Sequence, residues 1–302
     1  MFDSLLITGA NGFVGMSVLD QLVSLPNNQR PSAIAIVTRR EFPQIREFIE
    51  QGLNIKSIIA DLTKPWLFDR DFSHVIQLAA DGSSSAYSDA ASRAFVEISE
   101  RLIHWCELST DVPNIFHASS GACFGRQSLE DGRSIDSEWN KEQFVVSRLQ
   151  AERILKNAQD DSKINLRIGR LYSFLGSRIA TKIQYAAPAF VNMAKYDGIV
   201  RIKGNPSTVR SYLAASDMAD WILKSLLDAN CKNLLSIGSS TQVTIIELAN
   251  EIARLFDAEV KIEPTKSRAD RYVADNRETM SILGVQETKT WKESVLELVE
   301  KI

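Results

Sequence analysis

The chain has 302 residues, of which 44% are hydrophobic and 24% are charged, and its formal net charge is -3. This length is sufficient for a large core and one further lobe. Acidic and basic residues are interspersed without a basic tract, which argues against nucleic acid or a membrane surface as a partner. No run of about 18 apolar residues occurs, so no membrane-spanning helix is predicted.

The chain contains three cysteines, Cys106, Cys123 and Cys231. Their odd number and scattered positions indicate neither a disulfide framework nor a zinc site, and no metal is expected. The sequence enters an apolar segment at Leu5 without the basic start of a signal peptide. These observations together predict a cytoplasmic protein.

Apolar runs of strand length recur through the first part of the chain, and they lack polar alternation. Such continuous runs are typical of parallel strands covered on both faces. Stretches of helical periodicity separate them, as in Val14, Val18 and Leu22. The pattern predicts an α/β fold with a doubly wound parallel sheet of Rossmann type. The predicted strands are 5–7, 33–37, 55–59, 75–78, 115–118 and 166–168.

After about residue 170 this rhythm loosens, which predicts a second, smaller lobe. We expect a dinucleotide-binding domain at 1–170 and a substrate-binding lobe at 171–302, with some segments of the lobe returning to the sheet. The regular segments expected in this lobe are 181–195, 199–203, 243–256 and 291–302.

A glycine-rich turn follows the first predicted strand and opens an apolar helix. Gly9, Gly12 and Gly15 are spaced as a dinucleotide-binding turn requires. Glycines allow the tight turn, let backbone N–H groups approach a pyrophosphate, and let the helix pack on the strand. The alternative is a plain strand-to-helix turn. The predicted cofactor contacts of this segment are Gly9, Asn11, Gly12, Phe13, Val14 and Gly15.

The second strand ends in Thr38, Arg39 and Arg40, where an NAD-selective site usually offers an acid to the ribose. A guanidinium instead suits a 2′-phosphate, which favours NADP(H) over NAD(H); a solvated basic loop is the alternative. Asp61, at the end of the third strand, is expected either to accept from the adenine amino group or to cap a turn.

Several motifs in order resemble the extended short-chain dehydrogenase/reductases, and in particular the NAD-dependent epimerase/dehydratase family of nucleotide-sugar enzymes. The motifs are Thr-Gly-Ala-Asn-Gly-Phe-Val-Gly from Thr8, Asp61-Leu62, Leu78-Ala79-Ala80, Ser119-Ser120-Gly121 and the segments around Arg170, Arg210 and Arg268. The resemblance spans almost the whole chain. It implies a nicotinamide dinucleotide cofactor, with Leu62, Ala79 and Ala80 among its contacts, and a nucleotide-sugar substrate.

The family carries out its chemistry with a serine, a tyrosine and a lysine, and the resemblance places Ser120 at the serine. The Tyr-x-x-x-Lys pair aligns with Phe144 and Arg148. Phenylalanine cannot carry a proton and arginine stays charged, so the usual acid/base step cannot use this pair. Arg148 is expected to contact the cofactor ribose; the alternative is a packed Phe144 beside a solvated surface Arg148.

No residue is an obvious substitute for the missing phenol. The candidates are Tyr87, Tyr172, His117 and Cys123. His117 is expected to be a hydrogen-bonded structural histidine, and Cys123 a small packed hydrophobe.

Arginines near the end of the first domain and in the second lobe are the candidate substrate contacts. The resemblance implies that Arg210 and Arg268 bind the diphosphate of a nucleotide sugar, and that Arg170, where relatives often carry an asparagine, faces an anionic substrate. A planar guanidinium fork suits phosphate. Arg210 and Arg268 have structural ion pairs as their alternative.

Two hypotheses follow for the function. The first is an atypical nucleotide-sugar epimerase, dehydratase or reductase with altered catalytic residues; the second is a non-catalytic dinucleotide-binding protein with a structural or regulatory role. The resemblance also implies a homodimer formed through helices near 86–107 and 141–158. Apolar positions such as Val96, Ile103 and Leu155 are candidates for that interface.

Overall fold

The computed structural model describes residues 3–69, 72–80, 87–129, 134–136, 142–182, 184–228, 231 and 234–302. They fall into two compact units. The first unit takes the described residues of Met1–Cys123, Asn140–Arg170 and Ala219–Leu235. The second takes those of Phe124–Trp139, Leu171–Met218 and Ser236–Ile302.

Strands and helices alternate through the first part of the chain. The strands are β1 (Ser4–Thr8), β2 (Ala33–Thr38), β3 (Ile55–Ile59), β4 (His74–Gln77), β5 (Asn114–Ser120), β6 (Arg126–Gln127), β7 (Ser134–Asp136), β8 (Asn165–Leu171), β9 (Phe174–Leu175), β10 (Ile199–Ile202), β11 (Val209–Arg210), β12 (Leu213–Ala214), β13 (Leu234–Ile237), β14 (Val243–Thr244), β15 (Glu259–Ile262) and β16 (Arg271–Tyr272). The helices are α1 (Phe13–Ser24), α2 (Ile45–Glu50), α3 (Asp89–Glu107), α4 (Gln143–Asp160), α5 (Ala186–Asp197), α6 (Ala215–Leu227), α7 (Ile245–Phe256), α8 (Arg277–Leu283) and α9 (Trp291–Lys301).

The largest sheet has the strand order β3-β2-β1-β4-β5-β8-β13. The pairs from β3 to β5 are parallel. The chain runs outward from β1 to β3 and then returns to place β4 on the other side of β1. This reversal is the switch point at which open α/β sheets bind ligands, beyond the carboxyl ends of the strands. The predicted Rossmann-type α/β fold is confirmed.

The core of this sheet follows from its apolar strands. Leu6, Val75 and Ile115 stand side by side in the parallel register and are fully buried. Trp105 of α3 and Leu155 of α4 belong to the same buried cluster. Continuous apolar strands are needed because helices cover the sheet. Leu155 was a candidate for a dimer interface, but it lies in this core.

The second unit is built from shorter strands. Its sheets have the orders β14-β11-β16-β6-β7, β10-β15 and β12-β9. Helices α7 and α9 each begin with a capping box, formed by Thr244 with Glu247 and by Thr290 with Glu293. These reciprocal hydrogen bonds satisfy backbone donors in the first helical turn and fix where each helix starts. Among the helices of the described residues, none is both long and apolar enough to cross a membrane.

Candidate functional site

The turn between β1 and α1 is made of glycines that cannot accept a side chain without moving backbone. Gly9 has a φ of 71°, and a Cβ built on it would lie 2.9 Å from the backbone nitrogen of Ala79. A Cβ on Gly15 would lie 2.5 Å from the Cα of Ala10. The backbone nitrogen of Gly12 donates to the carbonyl oxygen of Gly9 at 3.0 Å and closes the turn. The loop therefore presents bare backbone at the carboxyl end of β1.

The first turn of α1 completes this cradle. Its N-cap residue is Gly12, which has no side chain to cap the first backbone N–H groups, and the first turn carries no acid. Asn11 is exposed, while Phe13 and Val14 are half-buried. The backbone N–H groups and the dipole at a helix start favour an anion. The residues present thus fit the pyrophosphate of a dinucleotide.

The residues expected around the adenine ribose lie at the ends of β2 and β3. Thr38 is buried, and its hydroxyl donates to the carbonyl oxygen of Arg40 at 2.7 Å. Arg39 is exposed. Asp61 accepts from the backbone nitrogen and the hydroxyl of Thr63 at 3.0 and 2.8 Å, and these hydrogen bonds lower its pKa. The turn cap, one of the two roles expected for Asp61, is therefore present, and its adenine contact stays a prediction.

The end of β4 lies against the end of β1. The backbone nitrogens of Leu78 and Ala79 both donate to the hydroxyl of Thr8, at 3.2 and 3.3 Å. Ala80 is exposed, whereas Leu62 is buried in the core. The backbone at Ala79 thus stands beside the glycine turn.

Phe144 and Arg148 lie one turn apart near the start of α4. The guanidinium carbon of Arg148 is 4.3 Å from the ring centre of Phe144 and 3.7 Å from that of Phe95 on α3. Its Nη1 donates to the hydroxyl of Ser147 at 3.1 Å. The residue is only 5% exposed, and burial lowers its pKa to about 10. The alternative of a solvated surface arginine is therefore wrong: Arg148 is a buried cation held between two aromatic rings.

His117 lies on β5 with its imidazole fully buried. The ring centre is 5.4 Å from that of Phe95, and neither ring nitrogen has a hydrogen-bond partner among the described residues. The expectation of a hydrogen-bonded histidine is therefore wrong, since its ring neighbour Phe95 is apolar. Burial, helped by the charge of Arg148 and opposed by that of Glu152, lowers the pKa of His117 to about 3. The imidazole is consequently neutral at neutral pH and a poor base.

The buried imidazole predicts a pH-dependent stability. The folded pKa of about 3 lies below the ordinary histidine value of 6.5, so the unfolded chain binds the proton first as the pH falls. Below about pH 6.5 this linkage lowers the free energy of unfolding, by about 2 kcal/mol at pH 5. Urea unfolding at pH 7 and pH 5 should therefore show a smaller pH effect in His117→Leu than in the wild type. His104→Gln is the control because His104 is exposed. If the free energy of unfolding fell equally between pH 7 and pH 5 in His117→Leu and in the wild type, the prediction would be contradicted.

The remaining candidates for the missing acid/base group differ in their surroundings. Cys123 is buried, and burial raises the pKa of its thiol, so it is not an activated thiolate. Tyr172 belongs to the second unit and its ring packs on that of Tyr272 at 4.7 Å. Tyr87 is 69% exposed, and its ring centre is 5.0 Å from that of Phe144. Of these, Tyr87 contacts the position at which the family carries its tyrosine.

Glu152 is a buried acid of α4 that the sequence analysis did not single out. Its carboxylate accepts from the Nε and Nη2 of Arg170 at 3.0 and 2.8 Å and from the hydroxyl of Ser119 at 2.6 Å. Burial opposes ionisation, but these hydrogen bonds outweigh it and keep the pKa of Glu152 below its ordinary value. Its burial could have been predicted from the sequence. Glu152 lies seven residues after Val145 and three before Leu155, which places it on the apolar face of α4.

This pair changes how Arg170 is interpreted. Arg170 is 8% exposed, and two of its nitrogens bind one carboxylate in the bidentate geometry of a strong ion pair. The substrate contact predicted for Arg170 has no support in this arrangement. In the structure, Arg170 lies near the carboxyl end of β8 and balances the charge of Glu152.

Ser120 lies at the carboxyl end of β5, as its family position predicts. Its hydroxyl accepts from the backbone nitrogen of Ala122 at 3.2 Å. This contact closes a short turn and orients the hydroxyl just after the strand. A catalytic role for Ser120 stays a prediction.

The arginines expected to bind a diphosphate lie in the second unit. Arg210 on β11 donates through Nη1 to the carboxylate of Asp270 at 2.8 Å, and both side chains are partly exposed. Arg268 is exposed and precedes β16. The ion pair expected as the alternative role of Arg210 is thus formed. Water screens this ion pair because both side chains are partly exposed, so breaking the pair costs little free energy.

The sheet topology and the bare glycine turn at its switch point are those of a dinucleotide-binding fold. The chain matches the model of the NAD dependent epimerase/dehydratase family over residues 5–238. It therefore belongs to this family, as the sequence motifs predicted.

Curated relatives are nucleotide-sugar enzymes. UDP-glucuronic acid decarboxylase 3 of Arabidopsis thaliana is 20% identical over 277 residues, which cover 88% of this chain and 78% of that protein. The dTDP-4-dehydro-6-deoxyglucose reductase of Escherichia coli is 21% identical over 321 residues, covering 99% and 98%.

Solved structures share the fold. MoeE5 in complex with UDP-glucose and NAD has a TM-score of 0.78 at 21% identity, covering 99% of this chain and 98% of that one. UDP-glucuronic acid 4-epimerase from Bacillus cereus, in complex with UDP-glucuronic acid and NAD, has a TM-score of 0.79 at 17% identity with the same coverage. Both neighbours bind NAD.

Proposed function

We propose that this protein binds a nicotinamide dinucleotide at the Gly9–Gly15 turn and uses it in hydride transfer on a nucleotide sugar. The observation that carries this proposal is the cradle itself, in which a Cβ at Gly9 or Gly15 would collide with backbone. The family membership and the nucleotide-sugar substrates of the relatives support the substrate class. The bound nicotinamide would supply a reversible hydride acceptor.

The chain's own residues take the remaining roles. The N–H groups at the start of α1 bind the pyrophosphate. Arg148, held between Phe95 and Phe144, keeps a fixed positive charge where the family has its lysine and donates to the cofactor ribose. Ser120, oriented by its turn with Ala122, donates to the reacting sugar oxygen.

Arg210 and Arg268 are the proposed contacts of the substrate diphosphate. Arg210 would exchange its partly exposed contact with Asp270 for a phosphate oxygen. Arg268 already extends into solvent. We leave Arg170 out of this site because Glu152 occupies its guanidinium.

A binding-only role is the second candidate, and the replacement of the family's tyrosine by Phe144 favours it. The two functions separate in one assay. The protein is mixed with NAD or NADP and with a panel of UDP- and dTDP-sugars; absorbance of the reduced nicotinamide is followed at 340 nm, and the sugars are analysed by NMR because an epimerase or dehydratase returns the hydride within each turnover. Hydride transfer with any sugar supports the enzyme and excludes the binding-only role. Dinucleotide binding without transfer across the panel supports the binding-only role.

The cofactor choice is a separate part of the proposal, and we assign a preference for NADP(H). The two residues that follow Thr38 are Arg39 and Arg40, where an NAD-selective site usually has an acid, and both are exposed at the end of β2. Arg39→Ala should weaken NADP binding by about 10-fold, equal to about 1.4 kcal/mol, and leave NAD binding within about twofold. Calorimetric titration measures both affinities, with Arg46→Ala as a control because Arg46 is also exposed. Equal losses for the two cofactors would contradict the preference.

The assembly and location are proposed as a cytoplasmic homodimer. Val96 on α3 is only half-buried and Val146 on α4 is 37% exposed, which supports an apolar face on these helices, whereas Ile103 packs against the core of the sheet. The cysteines Cys106, Cys123 and Cys231 are each buried and form no disulfide with a described residue, which is compatible with a reducing compartment. Sedimentation velocity measures the oligomeric state directly.

A further inference from the structure

The proposed hydride transfer needs a group that takes up and returns a proton, and the usual position offers none. Phe144 has no exchangeable proton, and Arg148 stays protonated at working pH, since its pKa of about 10 is still above neutrality. His117 is neutral, fully buried and has a pKa of about 3, while the Cys123 thiol is buried with a raised pKa. A proton carrier for this reaction must therefore come from another residue that reaches the same place.

Tyr87 lies at that place. It immediately precedes Ser88, the N-cap residue of α3, whose hydroxyl accepts from the backbone nitrogen of Ala91 at 3.2 Å. This cap fixes the start of α3 beside the start of α4. The ring of Tyr87 packs at 42° to that of Phe144 with centres 5.0 Å apart. The side chain is 69% exposed, so solvent and ligands can reach it.

The same phenol is electrostatically coupled to the buried guanidinium of Arg148. Negative charge on Tyr87 opposes the lowering of the Arg148 pKa that burial causes. Tyr87, Phe144 and Arg148 thus form one contiguous group in which a phenol stands beside a permanent positive charge.

The geometry points to Tyr87 as the acid/base residue of this protein, a role that rests on the proposed function. In the oxidative direction Tyr87, after releasing its own proton to solvent, would take the proton of the sugar hydroxyl, and a bound oxidised nicotinamide would supply the acceptor for the hydride from the same carbon. The sugar would become a ketosugar and Tyr87 would end protonated. Reduction reverses each transfer. Phe144 then serves as the platform on which the phenol packs.

Two variants test this assignment by activity. Tyr87→Phe should reduce the rate of hydride transfer by about 10²–10⁴-fold, as loss of a general acid/base does, with dinucleotide affinity unchanged. Tyr196→Phe is the matched control, because Tyr196 is 67% exposed and also has a lysine cation beside its ring. Adding Phe144→Tyr to Tyr87→Phe should raise the rate of hydride transfer at least tenfold above that of Tyr87→Phe alone, since it returns a phenol to the same group of residues.

A chemical readout tests the location without turnover. Tetranitromethane nitrates accessible tyrosines, and mass spectrometry reports each site in the intact chain. Saturating NADP with UDP-glucose should slow nitration of Tyr87 at least threefold and leave Tyr196 unaffected. Unchanged nitration of Tyr87 with both ligands bound would overturn the assignment.

The outcomes separate this inference from the proposed function. If the wild type binds neither dinucleotide, the proposed function fails and the role of Tyr87 fails with it. If the wild type transfers hydride and Tyr87→Phe does so within threefold, only the Tyr87 assignment is wrong. If the wild type binds the dinucleotide but neither reduces it with any sugar in the panel nor converts any of these sugars, the acid/base role is overturned and the binding-only role gains support.

Discussion

Replacing Glu152 with alanine is expected to lower the free energy of unfolding by about 3–5 kcal/mol, because it removes the carboxylate that two nitrogens of the buried Arg170 guanidinium bind. Arg170 and Glu152 are 8% and 2% exposed, so water cannot replace the lost partner. Urea unfolding at pH 7 measures the change. Asp275→Asn, in the exposed pair with Arg277, is the control and should leave the unfolding midpoint nearly unchanged.

A double variant separates loss of charge balance from loss of packing. Glu152→Leu combined with Arg170→Met removes both charges and keeps apolar volume, so it should recover most of the stability lost in Glu152→Ala. A double variant as unstable as the single one would show that the packing around Glu152, and not its pairing with Arg170, determines the effect.

Gly15→Ala is expected to abolish the thermal stabilisation by NAD and to weaken its binding at least about 100-fold, equal to about 2.8 kcal/mol. The new Cβ would lie 2.5 Å from the Cα of Ala10 and 2.6 Å from the carbonyl oxygen of Gly9, so the turn and the start of α1 must separate. Thermal unfolding with and without saturating NAD measures this.

Gly204→Ala is the matched control for that change. A Cβ on Gly204 meets nothing within 4 Å, so the variant should keep the full NAD-induced shift. If Gly15→Ala retained an NAD-induced shift equal to that of the wild type, the pyrophosphate would have to bind elsewhere.

The sheet could be predicted from the sequence because its strands are covered on both faces and therefore read as apolar runs. The run at 55–59 coincides with β3, and those at 5–7 and 33–37 fall within β1 and β2. The two-residue strands β6, β9, β11, β12, β14 and β16 could not be found in this way. They exist through pairing with distant segments, and two residues carry no periodicity.

The site was predictable where backbone conformation decides and unpredictable where tertiary partners decide. The glycine spacing identified the cradle, since only glycine fits there. Arg148 and Glu152 stand four residues apart on α4, a spacing that favours an ion pair between them. Their actual partners come from other parts of the fold: Arg148 contacts two aromatic rings, and Glu152 binds Arg170 on β8. The unpartnered nitrogens of His117 likewise depend on what α3 places against β5.

Calorimetric titration of the purified chain with NAD, and in parallel with NADP, is the most direct measurement of the central claim that the glycine turn holds a nicotinamide dinucleotide. We expect a saturable heat with a stoichiometry of one dinucleotide per chain for at least one of the two. The absence of binding heat for both cofactors at millimolar concentration, with no change in melting temperature, would contradict it.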